Sequence, residues 1–204
     1  MVTHRDAIEE LRASRQETVE RLARIIELRD TETGEHSNRM ALISAFLGQA
    51  LGLDDEVVDA LLVAAPMHDV GKIGIADEIL LKPGGLTREE RHEMERHTIL
   101  GHDLLADSQS AVLRLAASIA FTHHEHWDGG GYPRGIAGQA IPVEGRIAAV
   151  ADVFDALLSD RPYRKAISLD EALRVMQEGK GAHFEPAIAE VLLGNLDDVL
   201  GLRH

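Results

Sequence analysis

The chain has 204 residues, of which 45% are hydrophobic and only 3% aromatic, enough apolar material for one domain with an aliphatic core. Its net charge of −14 argues against nonspecific binding to DNA or RNA, which depends on many Lys and Arg contacts to phosphates. The absence of cysteine excludes disulfides and thiolate metal sites, and no apolar run is long enough for a membrane span. We therefore expect a cytoplasmic protein without a membrane segment.

Helical periodicity dominates the chain and predicts an all-α domain. The predicted helices are Arg5 to about Asp30, His36–Leu51, Asp54–Met67, Thr87 to beyond His97, Ser110–His124, Glu144–Leu158, and two more from Ser168 and Pro186. Thr87 and Ser168 are each followed three residues later by glutamate, which is the spacing of a capping box. Strand-like alternation is confined to a short element at Ile73–Ile75.

These elements divide the chain into an N-terminal helix, residues 1–30, and a main domain, residues 31–204. The N-terminal helix could connect the main domain to a regulatory one or form the seam of a homodimer. It could equally be a surface helix packed on the core, and the sequence leaves both interpretations open.

The doublet His68-Asp69 is a candidate for chemistry because of its surroundings. It follows the apolar run Ala60–Ala65 and precedes Gly71-Lys72. A buried helix that ends in this doublet would deliver an imidazole and a carboxylate to an interior site.

A second doublet, His102-Asp103, lies in a predicted amphipathic helix. The inner face of that helix is traced at steps of three and four through Met94, His97, Gly101 and Leu104. His102 falls off this face and would point to solvent, so we set the second doublet aside. His97 lies on the face and is either a metal ligand or a hydrogen-bonded core histidine. The presence of the other candidate ligands in the chain favours a metal ligand.

His123 and His124 end a predicted helix and continue apolar lines along one broad inner face. Two buried histidines without a role would be costly because each ring needs polar partners, and metal binding removes that cost. Asp152 and Asp155 lie close together in an apolar segment, where a carboxylate needs a cation or hydrogen bonds. We expect one of them to bind metal and the other to support a histidine ligand from behind.

Glu32 and His36 are four residues apart and would share one face of a helix, either as metal ligands or as a solvated pair. With the other candidates they form a nitrogen and oxygen set suited to two or three first-row cations. Clustered cations beside Lys72 suggest hydrolysis of a phosphate ester.

A glycine-rich loop, Glu125–Gly135, directly follows two of these candidates. Its three consecutive glycines let backbone approach a ligand, and Trp127 and Tyr132 offer flat faces to a nucleobase. We interpret the loop as the wall of a site rather than as a flexible turn. The basic cluster Arg161–Lys165 could hold phosphate or be a solvated turn.

Taken together, these motifs resemble the HD-GYP family of cyclic-di-GMP phosphodiesterases, a branch of the HD-domain phosphohydrolases. The resemblance runs from about Thr18 to about Leu192. It is carried by His68–Lys72, His123–Glu125, Gly129 with Gly131–Pro133, Val150–Leu157 and Asp160–Ala166.

The resemblance implies an HD-domain helical bundle with the glycine-rich loop beside a centre of two or three divalent metals, iron or manganese. The implied ligands are Glu32, His36, His68, Asp69, His97, His123, His124 and Asp152. Asp69 would bridge two metals, Asp152 would be preferred to Asp155, and Glu32 would decide between two metals and three. The implied substrate contacts are Lys72, Gly131, Tyr132, Arg161 and Arg164.

The main hypothesis is therefore a phosphodiesterase in which a metal-bridging hydroxide hydrolyses the 3′-5′ phosphodiester bonds of cyclic-di-GMP to pGpG, GMP or both. Asp69 and Lys72 would be its catalytic residues. One alternative is a phosphohydrolase of another nucleotide such as cyclic GMP-AMP. Another is a non-catalytic module that binds a cyclic dinucleotide or a partner, and the family suggests contacts with diguanylate cyclase or receiver domains.

Overall fold

The structure, a computed structural model, describes residues 35–160 and 165–203 together with residues 10, 14, 17–19, 21, 23 and 29. The helices with defined bounds are α1 (Glu35–Ala50), α2 (Asp55–Ala64), α3 (Asp77–Leu80), α4 (Arg88–Glu95), α5 (His97–Leu105), α6 (Ala111–Thr122), α7 (Val143–Leu157), α8 (Leu169–Glu178), α9 (Pro186–Gly194) and α10 (Leu196–Gly201). Short 3-10 segments occupy Ala65–Met67, Val70–Gly74 and Gly138–Ala140. The described residues contain no strand, only an isolated bridge between Lys180 and Phe184, so the all-α prediction is confirmed.

Five helices form the centre of the bundle. Helix α1 packs on α2 and α7, and α6 packs on α2, α5 and α7. The buried side chains between them are mainly aliphatic, such as Ile43, Leu61, Ile119 and Ile147, with Phe154 as a large aromatic member. An aliphatic core of this kind follows from the low aromatic content, and it leaves the ends of α1, α5 and α6 to carry polar groups inward.

Several local signals are found as predicted. Thr87 and Glu90 make both bonds of the capping box at the start of α4. At the start of α8 the Ser168 hydroxyl accepts a hydrogen bond from the backbone N–H of Glu171, which is one of the two bonds of the predicted capping box. Pro186 begins α9, where its missing N–H costs no helical hydrogen bond.

Three sequence expectations were wrong in detail. The segment around Ile73 is not a strand, because Val70–Gly74 forms a 3-10 turn. Helix α2 ends at Ala64 rather than Met67, since Pro66 cannot donate an α-helical hydrogen bond and the chain tightens into a 3-10 turn. Leu104 is 59% exposed. The inward line of α5 instead reaches Leu105, which packs against the core.

The N-terminal stretch is described only in part. Its described residues from 10 to 29 are helical, Val19 packs against the core and Ala23 is buried. The boundary at residue 30 and the connecting or dimerisation role stay predictions. No helix among the described residues combines the length and the apolar character needed to cross a bilayer.

Candidate metal centre

The bundle brings seven of the eight predicted ligands to one region; the eighth, Glu32, lies outside the described residues. The seven come from the first turn of α1 (His36), the link between two 3-10 turns (His68 and Asp69), the start of α5 (His97), the end of α6 (His123 and His124) and the middle of α7 (Asp152). Most of them lie at helix ends, where side chains from different helices can converge without blocking core packing.

The seven residues fall into two groups with metal-ligand spacing. One contains Asp69, His97, His123 and His124, and the other contains His36, His68 and Asp152. In each group one nitrogen or carboxylate oxygen per residue lies within 4.8 Å of the corresponding atom of every other member. The arrangement therefore offers two neighbouring positions for divalent cations.

Asp69 lies between the two groups. Its Oδ1 is 3.3 Å from Nε2 of His97 and 3.7 Å from Nε2 of His123. Its Oδ2 is 3.1 Å from Nε2 of His68, which belongs to the other group. A carboxylate with one oxygen toward each group has the geometry of a bridge.

The hydrogen bonds behind the rings determine which nitrogen faces inward. In His68, Nδ1 lies 3.1 Å from the carbonyl oxygen of Ala65, and in His97 it lies 2.8 Å from the carbonyl oxygen of Met94. In His123 it lies 3.0 Å from the Ile119 carbonyl oxygen. A carbonyl oxygen only accepts, so Nδ1 carries the proton in each ring and a neutral ring presents the Nε2 lone pair to the centre.

The inward-facing atoms lack donors. Among the described residues, Nε2 of His68, His97 and His123 and Oδ1 of Asp69 are buried without a hydrogen-bond partner. Acceptors that face one another at 3.1 to 3.7 Å in a buried site are unfavourable unless a cation lies between them. The donor set of imidazoles and carboxylates fits first-row divalent ions, so the residues present fit a metal centre.

The charge states of three of the rings agree with this fit. Burial disfavours the imidazolium form and lowers the pKa of His97 and His124, and it lowers the pKa of His123 to about 3. These rings are neutral at pH 7. Burial also opposes charge on His68, but the attraction of Asp69 outweighs it and raises the pKa of that ring. Burial alone would raise the pKa of Asp69, yet Lys72 and His68 hold it well below its usual range.

Two facing glycines allow the Asp69 turn to approach α5. A Cβ on Gly71 would overlap the His97 carbonyl oxygen and the Gly101 backbone nitrogen. A Cβ on Gly101 would lie 3.1 Å from the Cβ of Ala120 and 3.2 Å from the backbone nitrogen of Gly71. The two glycines therefore allow the backbone of the Asp69 turn to lie directly against the backbone of α5.

Lys72 lies at the edge of the centre. Its ammonium nitrogen is 2.7 Å from Oδ2 of Asp69. The turn that carries it is held by Arg29, whose guanidinium donates to the backbone oxygens of Lys72, Ile73 and Ile75 and to the carboxylate of Asp77. Arg29 thus ties the N-terminal stretch to the segment from Lys72 to Asp77.

The glycine-rich loop is folded against the centre. Buried Glu125 accepts hydrogen bonds from the backbone N–H groups of Arg134 (2.8 Å) and Ile136 (3.1 Å), which closes the loop. The Tyr132 ring lies 4.7 Å from the ring of His124, and a cis peptide bond follows it. A Cβ on Gly131 would overlap the His124 carbonyl oxygen, so packing alone requires glycine there. The loop is an ordered wall beside His124.

Tyr132 is a hydrogen-bond donor at neutral pH. Burial, assisted by the charges of Asp69 and Glu95, raises the pKa of its hydroxyl above the ordinary value. The other predicted substrate contacts, Arg161 and Arg164, lie outside the described residues.

The two carboxylates of α7 have different surroundings. Asp152 belongs to the group with His36 and His68, and its Oδ1 is 3.3 Å from Nε2 of His36. Asp155 is fully buried on the other side of the same ring, with Oδ2 2.7 Å from Nδ1 of His36. The set-aside doublet at His102 lies in neither group, and its ring packs against Phe121.

Four residues near the centre were given no individual role by the sequence reasoning. Arg39 and Arg203 bind Asp155, Glu125 closes the loop, and Arg29 holds the Lys72 turn. Two had a signal: Glu125 directly follows His123-His124, and Arg39 lies one turn after His36. Arg203 and Arg29 had none, because their partners are more than 40 residues away.

Most of this chain matches a known protein family and its members. Residues 20–188 match the HD domain family. A cyclic di-GMP phosphodiesterase response regulator of Xanthomonas campestris is 46% identical over 92% of this chain and 50% of its own length. A 3′3′-cGAMP-specific phosphodiesterase of Vibrio cholerae is 41% identical over 95% of this chain and 37% of its own length.

The fold is also found in a solved structure. A cyclic GMP-AMP specific phosphodiesterase of V. cholerae superimposes with a TM-score of 0.74 at 21% identity, covering 93% of this chain and 51% of that one. The chain belongs to the HD domain family, and the resemblance seen in its motifs is confirmed. It spans half or less of the length of the two curated relatives.

Proposed function

We propose that this chain is a metal-dependent phosphodiesterase that hydrolyses the 3′-5′ phosphodiester bonds of cyclic-di-GMP to pGpG, GMP or both. The observation that carries the proposal is the pair of ligand groups joined by Asp69, with Lys72 against the same carboxylate. Divalent ions bound there would activate water and neutralise charge on the phosphate. The name of the Xanthomonas relative supports the choice of substrate.

The protein's residues have separate roles in this scheme. One side of the centre would be held by His36, His68 and Asp152, and the other by His97, His123 and His124. Asp69 would contribute to both sides. Lys72 is within reach of a phosphate held beside Asp69, where it would balance the developing negative charge or protonate the departing ribose oxygen. The Tyr132 hydroxyl would donate to a phosphate or base, and Gly131 would keep the loop wall in place.

Metal identity and number form a finer part of the proposal. A histidine and carboxylate set without sulfur suits iron or manganese, which we propose as the native metals. The two described groups account for two ions, and Glu32 would add the ligand for a third. Arg161 and Arg164 would hold the second phosphate of the substrate by bidentate contacts.

The test is turnover with defined metals and substrates. Protein purified without air and loaded with Fe(II) or Mn(II) is expected to convert cyclic-di-GMP, with products separated by chromatography. His68→Ala and Asp69→Ala should abolish turnover, whereas His102→Ala, which removes a histidine of the unused doublet, should retain it. Absence of turnover in the loaded wild-type chain would refute the proposal.

A second candidate substrate is cyclic GMP-AMP, favoured by the specificity in the name of the Vibrio relative at 41% identity. Rates on cyclic-di-GMP, 3′3′-cyclic GMP-AMP and a simple phosphodiester separate the two. Faster hydrolysis of cyclic GMP-AMP would replace the main substrate and keep the mechanism.

The third candidate is a non-catalytic module that binds a cyclic dinucleotide or a partner through the loop. A cell phenotype that survives in a His68→Ala/Asp69→Ala variant would favour it. The proposal also includes a cytoplasmic location, a homodimer through the N-terminal helix, and contacts with diguanylate cyclase or receiver domains. Measuring the size in solution of chains with and without residues 1–30 tests the dimer.

A further inference from the structure

His36 differs from His68, His97 and His123 in the partner of its outward-facing ring nitrogen. Nδ1 of His68, His97 and His123 bonds to backbone carbonyl oxygens. Nδ1 of His36 bonds instead to the carboxylate of Asp155, at 2.7 Å. A carboxylate partner makes the opposite nitrogen a stronger ligand than a carbonyl does, so the two ligand groups are not equivalent.

Asp155 is itself held by two arginines. Its Oδ1 accepts from Nε of Arg39 at 2.7 Å and from Nη1 of Arg203, and its Oδ2 accepts from Nη2 of Arg39 at 3.1 Å. The Ser159 hydroxyl donates to Oδ2 as well, at 3.3 Å. With the bond from His36, five donors occupy a carboxylate that is 0% exposed. Asp155 is thereby fixed on the far side of the His36 ring and saturated.

Neither arginine belongs to a ligand group. Arg39 lies one turn after His36 on α1, whereas Arg203 follows α10 and also donates to the Leu158 carbonyl oxygen at 3.0 Å. The segment that follows α10 is thus connected to the ring of His36 through one buried carboxylate. An unneutralised carboxylate at this depth would be costly and would compete with Asp152 for a cation.

We propose that Arg39 and Arg203 are positioning residues which, through Asp155, set the divalent-metal affinity of the His36–His68–Asp152 group separately from that of the group around His97. The proposal rests on the metal centre of the proposed function. Outer contacts of this kind typically change metal affinity about 10-fold to 100-fold when removed. Arg203 should act selectively, because the described hydrogen bonds of its side chain go to Asp155, Leu158 and Ser159 and to no candidate ligand.

The experiment measures Mn(II) binding to the metal-free full chain by counting free Mn(II) with electron paramagnetic resonance. Two backgrounds isolate the groups: His97→Ala weakens one, and Asp152→Ala weakens the other. Each background receives Arg203→Met, Arg203→Lys or the control Arg146→Met. Arg146 pairs with Glu185 in a comparably buried ion pair, and its described partners include no candidate ligand.

In the His97→Ala background, Arg203→Met is expected to weaken Mn(II) binding about 10-fold or more, with Arg203→Lys in between because lysine keeps the charge and loses the planar fork. In the Asp152→Ala background and for Arg146→Met, affinity should change by less than about twofold. Thermal unfolding by circular dichroism checks that each variant is folded. Asp155→Asn, which keeps the shape of the side chain, should reproduce the selective loss if an arginine variant does not fold.

Equal losses in both backgrounds, or none in either, would overturn the proposal. A wild-type chain that binds no Mn(II) would overturn the proposed function and this inference together. A wild-type chain that binds Mn(II) and hydrolyses substrate while Arg203→Met binds normally would overturn this inference alone.

Discussion

Gly71→Ala tests whether the close approach of the Asp69 turn to α5 sets the geometry of the centre. Gly71 lies between Asp69 and Lys72, and it faces the backbone of His97 and Gly101. The obstacle to a methyl group is backbone rather than the end of a flexible side chain. The turn and α5 therefore have to separate.

The required movement can be estimated from the structure. A Cβ on Gly71 would lie 2.8 Å from the His97 carbonyl carbon, whereas ordinary contact begins at 3.4 Å, so the difference is at least about 0.6 Å. The overlap with the carbonyl oxygen demands more. Metal–ligand distances tolerate only about 0.2 Å. Overpacking of a core usually costs about 1–3 kcal/mol, and a backbone obstacle places this variant at the upper end.

The assay combines urea unfolding of the metal-free chain with Mn(II) binding. Gly71→Ala is expected to lower the free energy of unfolding by about 3 kcal/mol and to weaken Mn(II) binding at the Asp69–His97 group. Gly85→Ala is the matched control, because a Cβ there has no atom within 4 Å, and it should change neither quantity. A stable Gly71→Ala chain with wild-type Mn(II) affinity would refute the reasoning.

Three other predictions concern the glycine-rich loop, the Lys72 turn and the buried histidines. Glu125→Gln leaves one loop N–H facing an amide donor, so the free energy of unfolding should fall by about 1.5–3 kcal/mol. The KM should rise, and an unchanged KM would contradict the role of the loop. Arg29→Met leaves three backbone oxygens around Lys72 without their donor, so it should lower kcat more than it lowers Mn(II) affinity. The free energy of unfolding should fall by only about 1 kcal/mol, because the arginine is 35% exposed. The lowered pKa values of His97, His123 and His124 mean that the unfolded chain binds more protons than the folded one below about pH 6.5. The metal-free chain should therefore lose stability as the pH falls from about 6.5 toward 5, by up to about 1.4 kcal/mol per pH unit for each such ring. The raised pKa of His68 opposes this loss. Urea unfolding at several pH values measures the effect, and stability that increased as the pH fell would contradict the assignment.

The sequence was sufficient for the parts of the fold that depend on local periodicity and caps. The helices around His36, His123 and Asp152 follow from apolar spacing, and the Thr87 capping box follows from two residues at fixed distance. The inner face of α5 was misjudged by one residue at its end, since Leu104 is exposed and Leu105 packs against the core instead.

The candidate site divides in the same way. Residues that would touch a metal could be proposed from residue type, burial and the resemblance. The residues that hold them, such as Arg203 behind Asp155 and Arg29 behind Lys72, depend on contacts across more than 40 residues of sequence. An exposed-looking arginine carries no local pattern that predicts such a partner. The two-group arrangement around Asp69 also required coordinates, since spacing alone does not assign ligands to one ion or another.

The most direct test of the account is to titrate Mn(II) into the metal-free chain and follow bound ions and cyclic-di-GMP hydrolysis in the same samples. If the two groups joined by Asp69 act together, turnover should stay low at one ion per chain and rise as the second ion binds. Full turnover with one ion, or none at saturation with two or more, would contradict the central claim that both groups form one catalytic centre.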